Sequence, residues 1–245
     1  MPPPRIRPKD CYQPPDRPVD IARWWGKEPY SEGARIKSML YCPVNYIPHR
    51  IEPFLLPHHP YLFKQSIERR GLEEQFYCEV IAFLVGEHIG VEVPPAYVAY
   101  DSDTGECGSL IQWFYNPEGE GKYQVKFVHG TEYGLRLTKG FDPQKGKKHS
   151  ANLMFCMCRF FEGERRFQTE DLFSYWFKTF AFDALIGNTD RHAHNWGVLL
   201  HADEYKEFMS FSPAFDNGTS LGYEQLQSNF HKFNDPEYLK RYIGK

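Results

Sequence analysis

Apolar positions recur along this chain with two periods, and the change from one to the other divides it. In residues 72–89, Leu72, Phe76, Val80, Phe83, Leu84 and Glu87 recur at helical spacing, all but the last apolar. That pattern predicts a helix, and Gly90 is placed to end it. Around it lie short segments of strand character: 61–66, which carries Lys64, then 96–100 and 109–115, joined across a polar turn at 101–108. From residue 169 the period becomes helical. Thr169, Glu170 and Asp171 form a capping pattern, because a threonine oxygen can accept a free backbone N–H and acidic groups favour the positive end of a helix. Phe173, Trp176, Phe177, Phe180 and Ala184 follow as an apolar stripe that stops near Gly187. Two more strands, 196–200 and 208–211, turn on the polar residues 203–207.

Strands with one helix, then helices with one hairpin, predict an α+β fold of two lobes. Residues 1–20, rich in proline and charge, read as a flexible arm. Residues 21–116 read as a small β-rich N-terminal lobe and 117–245 as a mostly helical C-terminal lobe. The glycine- and charge-rich stretch 116–150 reads as the connection between them. Composition adds limits. At 245 residues, with 41% hydrophobic and 17% aromatic content, the chain can bury a sizeable core. A net charge of −3 argues against a dedicated nucleic-acid or membrane-surface binder. No apolar run approaches the roughly 20 residues of a membrane span, and the first ten residues hold no apolar signal core. The expectation is a soluble, cytoplasmic protein. The six cysteines lack the spacing of a paired zinc site and read as reduced, mostly buried thiols, Cys156 and Cys158 within the apolar run 153–161.

The chemistry concentrates after residue 184. A buried helix leads into the polar loop Gly187, Asn188, Thr189, Asp190, Arg191, His192, Ala193, His194, Asn195, and the hairpin behind it returns the chain to Asp216, Asn217 and Gly218. Phosphoryl transfer needs a carboxylate to orient the attacking hydroxyl and hard oxygen ligands to hold Mg²⁺ against phosphates. Protein kinases meet this need with an Asp, an Asn five residues on, and an Asp-x-Gly beyond the next hairpin. Asp190, Asn195 and Asp216 repeat that order. A competing reading makes them turn and capping residues. Another takes Asp190, His192 and His194 as zinc or iron ligands, with His192 otherwise a structural brace of the loop.

On these residues the segment from about Gly33 to Leu221 resembles the HipA-like serine/threonine kinases, the toxin kinases of bacterial toxin–antitoxin systems. The loop from Ile186 to Asn195 is similar to the family's G-N-x-D-x-H-x-K-N loop. The resemblance implies a two-lobed protein-kinase-like fold that uses ATP and Mg²⁺. It makes Asp190 the catalytic base and Asn195 and Asp216 the metal ligands. It makes Lys64 the phosphate-holding strand lysine and Glu79 its helix partner. Gln112, Trp113 and Phe114 match the hinge whose backbone would meet adenine. Gly33, Ala34 and Lys37 match the phosphate loop, and His192 lies within the matched nucleotide-side loop. Ser31 and Ser38 flank the phosphate loop as candidate regulatory phosphosites. By itself, a lone strand lysine is more often a solvated charge, and a helix glutamate is usually exposed. His194 stands where the family has lysine, and the helical lobe is expected to be shorter than in related kinases.

The function implied is phosphoryl transfer to a serine or threonine hydroxyl of a protein. An aminoacyl-tRNA synthetase or other translation factor is the implied substrate, and a DNA-binding antitoxin the implied partner. The alternatives are a lipid or small-molecule kinase and an inactive nucleotide-binding interaction protein.

Overall fold

Among the described residues, two antiparallel-rich sheets and five α-helices make a mixed α/β fold. The structure is a computed structural model, and it describes residues 7–8, 11–30, 35–43, 52–67, 72–116, 124–142, 150–163, 166–167, 172–223 and 227–243. The first sheet contains β1 (Val19–Asp20), β2 (Trp25–Pro29), β3 (Lys37–Tyr41), β4 (Pro60–Gln65), β5 (Ala96–Tyr100) and β6 (Cys107–Gln112). Its strand order is β1-β5-β6-β4-β3-β2. Only the β1–β5 pair is parallel. The strand β4 lies between β3 and β6 and is buried from Pro60 to Lys64. With both faces covered it shows no polar alternation, and its lysine is carried into the interior. Ahead of β1, the side-chain amide of Gln13 donates to Val98 O at 2.8 Å and accepts from Val98 N at 2.7 Å, extending the sheet edge by one rung.

The helix α1 (Tyr77–Ile89) packs on β5 and β6. It starts later than the periodicity predicts, because residues 73–76 form turns. Ser66 organises that entry: its hydroxyl accepts from Phe76 N at 3.0 Å and donates to Glu73 O at 2.7 Å. The buried face is Cys78, Glu79, Ala82, Phe83 and Gly86, rotated from the expected stripe, so that Leu84 is exposed. Gly86 sets how closely the helix approaches, since a Cβ there would lie 2.4 Å from Val93 Cγ2. Gly90, at φ 72°, ends the helix in the left-handed region, as expected.

The stretch read as a connection holds regular structure instead: β7 (Gln124–His129) runs straight into α2 (Gly130–Leu137). The strand β7 pairs with β8 (Gly197–Ala202), which pairs with β9 (Glu207–Phe211), so the expected hairpin becomes a three-stranded antiparallel sheet. Two helices back it, α3 (Ala151–Glu162) and α4 (Leu172–Ile186). Trp176 and Trp196 meet edge to face at 5.0 Å in the core of this part, with Met154, Met157 and Phe161. On α4 the buried face is Leu172, Trp176, Thr179, Phe182, Asp183 and Ile186, not the expected stripe. Phe177 and Ala184 are exposed. The helix is apolar around most of its circumference, so sequence periodicity could not choose the face. The capping residues proposed for its start, Thr169, Glu170 and Asp171, lie outside the described residues. A 3-10 helix (Gln227–Asn234) and α5 (Pro236–Ile243) close the chain.

All six cysteines are free; Cys42, Cys78 and Cys158 are buried, and Cys107 and Cys156 are exposed. No helix among the described residues is long and apolar enough to cross a membrane.

Candidate functional site

A cleft of about 590 Å³ opens between the first sheet and the second. Lys37 and Lys64 line it from β3 and β4, and Asp190, Asn195 and Asp216 line it from the loops at the ends of β8 and β9. Lys64 and Glu79 are both buried, 2% and 3% exposed. Lys64 Nζ lies 2.5 Å from Glu79 Oε1 and 2.5 Å from Asp216 Oδ1. Three residues separated by up to 152 positions therefore share one ammonium group. Neither Lys64 nor Glu79 is the solvated charge its residue type usually is.

The sheet register adds a second lysine. Lys37 pairs directly with Lys64 across β3 and β4, an arrangement that is destabilising when uncompensated. Burial, and then the neighbouring Lys64, lower the Lys37 pKa. Ser38 is one residue further along the strand, so its side chain takes the other face of the sheet, away from Lys37. Ser31, Gly33 and Ala34 lie outside the described residues.

Sequence reading missed the cation that completes this cluster. Arg35, also buried, places Nη2 3.0 Å from Glu79 Oε1 and 3.7 Å from Asp216 Oδ1. Burial by itself would raise the Glu79 pKa, but Lys64 and Arg35 together hold it below the ordinary carboxylate value. Asp216 behaves alike: burial opposes ionisation, and Lys64, Lys37 and Arg35 overcome it. Groups with depressed folded-state pKa values stabilise the fold fully above the unfolded values, 4.5 for Glu79 and 3.8 for Asp216. That contribution is lost as pH falls from there towards the folded values. The urea midpoint is therefore expected to drop below pH about 4.5, and Glu79→Gln to flatten that drop; an equally steep acid limb in Glu79→Gln would refute the assignment.

Asp216 sits at φ 57°, in the left-handed region that Asp tolerates better than most residues. The turn is pinned by its neighbour: Asn217 N donates to Glu79 Oε2 at 3.0 Å. Gly218 is required by packing, since a Cβ there would lie 1.8 Å from Arg35 Nη2 and 2.4 Å from its Cζ. Gly218→Ala must push the guanidinium off Glu79. We expect a loss of about 1–3 kcal/mol, measured by chemical denaturation; an unchanged midpoint would show that Arg35 can step aside.

Asp190 is held by its backbone. Its N–H donates to Asn188 Oδ1 at 3.1 Å, and its carbonyl accepts from Asn195 Nδ2 at 2.7 Å. Its carboxylate is half exposed at 48% and lies 3.7 Å from His192 Nε2. The Asn195 side chain spends its amide nitrogen on that carbonyl, and its Oδ1 accepts no hydrogen bond among the described residues. With the Asp216 carboxylate, that oxygen is a hard donor of the kind Mg²⁺ takes. The zinc or iron reading finds no such support: no group of three or more His, Cys, Asp or Glu side chains among the described residues is gathered to hold a metal ion. His194 is exposed, and its carbonyl lies 3.0 Å from His129 Nδ1.

A second missed residue braces the loop. Arg191 is buried, and its five N–H groups all find acceptors. Nε and Nη2 meet the two Asp183 oxygens at 3.0 and 2.8 Å, and Nη2 also meets Asn217 Oδ1 at 2.6 Å. Nη1 donates to Asn195 O at 3.1 Å and to Phe215 O. One guanidinium thus joins α4, the Asp190–Asn195 loop and the Asp216 turn. The acidic Asp183 on the inner face of α4 was the available signal.

The far end of the cleft is aromatic. Phe114 stacks on Phe215 at 5.0 Å and meets Phe127 edge to face at 5.2 Å. The strand β7, which the sequence pattern did not reveal, supplies Phe127 and His129. In the expected hinge, the Trp113 backbone is already engaged: its N–H donates to Pro60 O at 3.0 Å, and its carbonyl accepts from His59 Nε2 at 2.7 Å. Gln112 N donates to Pro95 O at 2.8 Å. Phe114 N–H has no partner among the described residues. Burial lowers the His59 pKa, keeping the ring neutral; facing a carbonyl, Nε2 must carry the proton.

The geometry can be set beside known proteins. The family model of the HipA-like C-terminal domain matches residues 31–239. A comparison with curated proteins gave no match. Among solved structures, the chain is similar to the crystal structure of a Helicobacter pylori proinflammatory kinase, CtkA. The TM-score is 0.61 at 16% identity, covering 93% of this chain and 68% of that one. The likeness shows a shared fold.

Proposed function

Since this chain belongs to the HipA-like C-terminal domain family, we propose that it is an ATP- and Mg²⁺-dependent kinase that phosphorylates a serine or threonine hydroxyl of a protein. The observation that carries the reading is the single ion cluster of Lys64, Glu79 and Asp216, closed across the cleft. It joins a strand lysine and helix glutamate of one lobe to an Asp-x-Gly turn of the other, the residue types that protein kinases place around the phosphates. ATP with its metal supplies the transferable phosphoryl group and part of the charge that neutralises it. The chain's own residues do the rest. Lys64, held by Glu79, grips phosphate oxygens. Asn195 Oδ1 and the Asp216 carboxylate would hold the metal. The Asp190 carboxylate orients the acceptor hydroxyl and takes its proton. The aromatic slot at Phe114, Phe127 and Phe215 would take the base, with Phe114 N–H available as a backbone donor.

Asp190 lines the cleft and is half exposed, so a protein side chain can reach it. A translation factor as substrate and a DNA-binding antitoxin as partner remain part of the proposal through family membership. The test is incubation with labelled ATP, Mg²⁺ and protein acceptors, followed by phosphoamino-acid analysis. Label on serine or threonine that is lost in Asp216→Asn is the expected result. Label appearing only on lipid or small-molecule hydroxyls would replace the substrate class. Tight ATP binding with no transfer to any acceptor would favour a nucleotide-binding interaction protein.

A further inference from the structure

One buried cation in the cleft has no part in the scheme above. Arg35 lies just ahead of β3 and is 8% exposed. Its Nη2 is spent on Glu79 and faces Asp216. Its Nη1 is buried and has no hydrogen-bond partner among the described residues, although Arg35 lines the cleft. A buried charged donor left unmade is costly, on the order of 1–3 kcal/mol or more, so such an atom points to a group that arrives from outside. The guanidinium packs closely against Gly218, where a Cβ would lie within 2.5 Å of Nη2, Cζ and Nη1.

The local charge points to the sign of that group. Arg35, Lys37 and Lys64 face Glu79 and Asp216, so cations outnumber carboxylates at the inner end of the cleft. On the opposite side His194 offers an imidazole in place of a permanent cation.

We propose that Arg35 is a phosphate-binding residue, whose Nη1 takes an oxygen of a nucleoside polyphosphate beside Lys64 while Nη2 stays on Glu79. The fork geometry of a guanidinium allows both bonds at once, which a lysine ammonium at this position would not reproduce. Ligands with two or three phosphates gain from this contact, and a nucleoside gains nothing. The inference rests on the nucleotide reading given above and adds a residue to it.

The experiment is calorimetric titration of wild type, Arg35→Gln and Arg35→Lys with adenosine, ATP and inorganic tripolyphosphate, in chelator so that no metal intervenes. Arg35→Gln is expected to lose about tenfold in ATP affinity and most tripolyphosphate binding, with adenosine affinity within about twofold of wild type. Arg35→Lys is expected to recover only part of the loss. An ATP-to-adenosine affinity ratio equal to wild type in Arg35→Gln would overturn the inference, leaving Arg35 as a partner of Glu79 alone. If Arg35→Gln fails to fold, the Arg35→Lys ratio decides, and an unchanged ratio overturns the inference. Wild type that binds adenosine and ATP equally also overturns it while leaving a nucleoside site standing. Wild type that binds no nucleotide overturns the nucleotide reading together with this one.

Discussion

Arg191→Met is expected to cost about 3–5 kcal/mol of folding stability, read as a lower denaturant midpoint. The size follows from what the change leaves behind. Asp183 loses both of its guanidinium bonds and stays buried, with Asn188 Nδ2 at 3.1 Å as its remaining side-chain donor. The carbonyls of Asn195 and Phe215 and the amide oxygen of Asn217 lose their donor as well. A charge without compensation in the interior is far more costly than a missing contact. The double change Asp183→Leu with Arg191→Met removes the stranded charge, and we expect it to recover part of the loss. A midpoint for Arg191→Met within about 1 kcal/mol of wild type would mean that water reaches Asp183 and that the network is not closed. Because the same guanidinium spans the Asp190–Asn195 loop and the Asp216 turn, phosphoryl transfer should fall further than stability explains.

Asp190→Asn should act in the opposite way, leaving the fold intact and removing the chemistry. Its carboxylate holds nothing else in place; the loop is fixed through the Asp190 backbone, by Asn188 and Asn195. Amide for carboxylate keeps shape and removes the proton acceptor, so the transfer rate is expected to fall by about 10²–10⁴-fold. The thermal midpoint and ATP affinity should stay near wild type, because the phosphate-side cluster at Lys64, Glu79 and Asp216 is untouched. Single-turnover transfer of labelled phosphate under saturating ATP separates the two quantities. A transfer rate within about twofold of wild type would remove Asp190 from the base role.

The relation between sequence and fold differs from element to element. The helix at α1 and its Gly90 stop are legible, because periodicity and a left-handed cap are local properties. Which face of α1 and α4 turns inward is not: both helices carry apolar residues around most of their surface, and the choice belongs to the partner. On α1 that choice brings Glu79 inward to Lys64 and Arg35; on α4 it brings Asp183 inward to Arg191. The strand β7 escaped because its pattern is half exposed and its partner, β8, lies about 70 residues away.

What the sequence determined by itself was the set of residue types and their order: Asp190, Asn195 five positions on, Asp216 with Gly218 behind a hairpin, and one lysine in a strand. Spacing along a chain is enough for that, because a loop between a helix and a strand places its polar groups locally. Tertiary structure alone decided which charges meet. Lys64 joins Glu79 and Asp216 only when β4, α1 and the Asp216 turn pack together. Arg35 and Arg191 become site residues only when burial removes water and leaves their guanidinium groups to find fixed acceptors. A buried charge must be paired or pay its desolvation cost, and no local pattern records which distant group will pair with it.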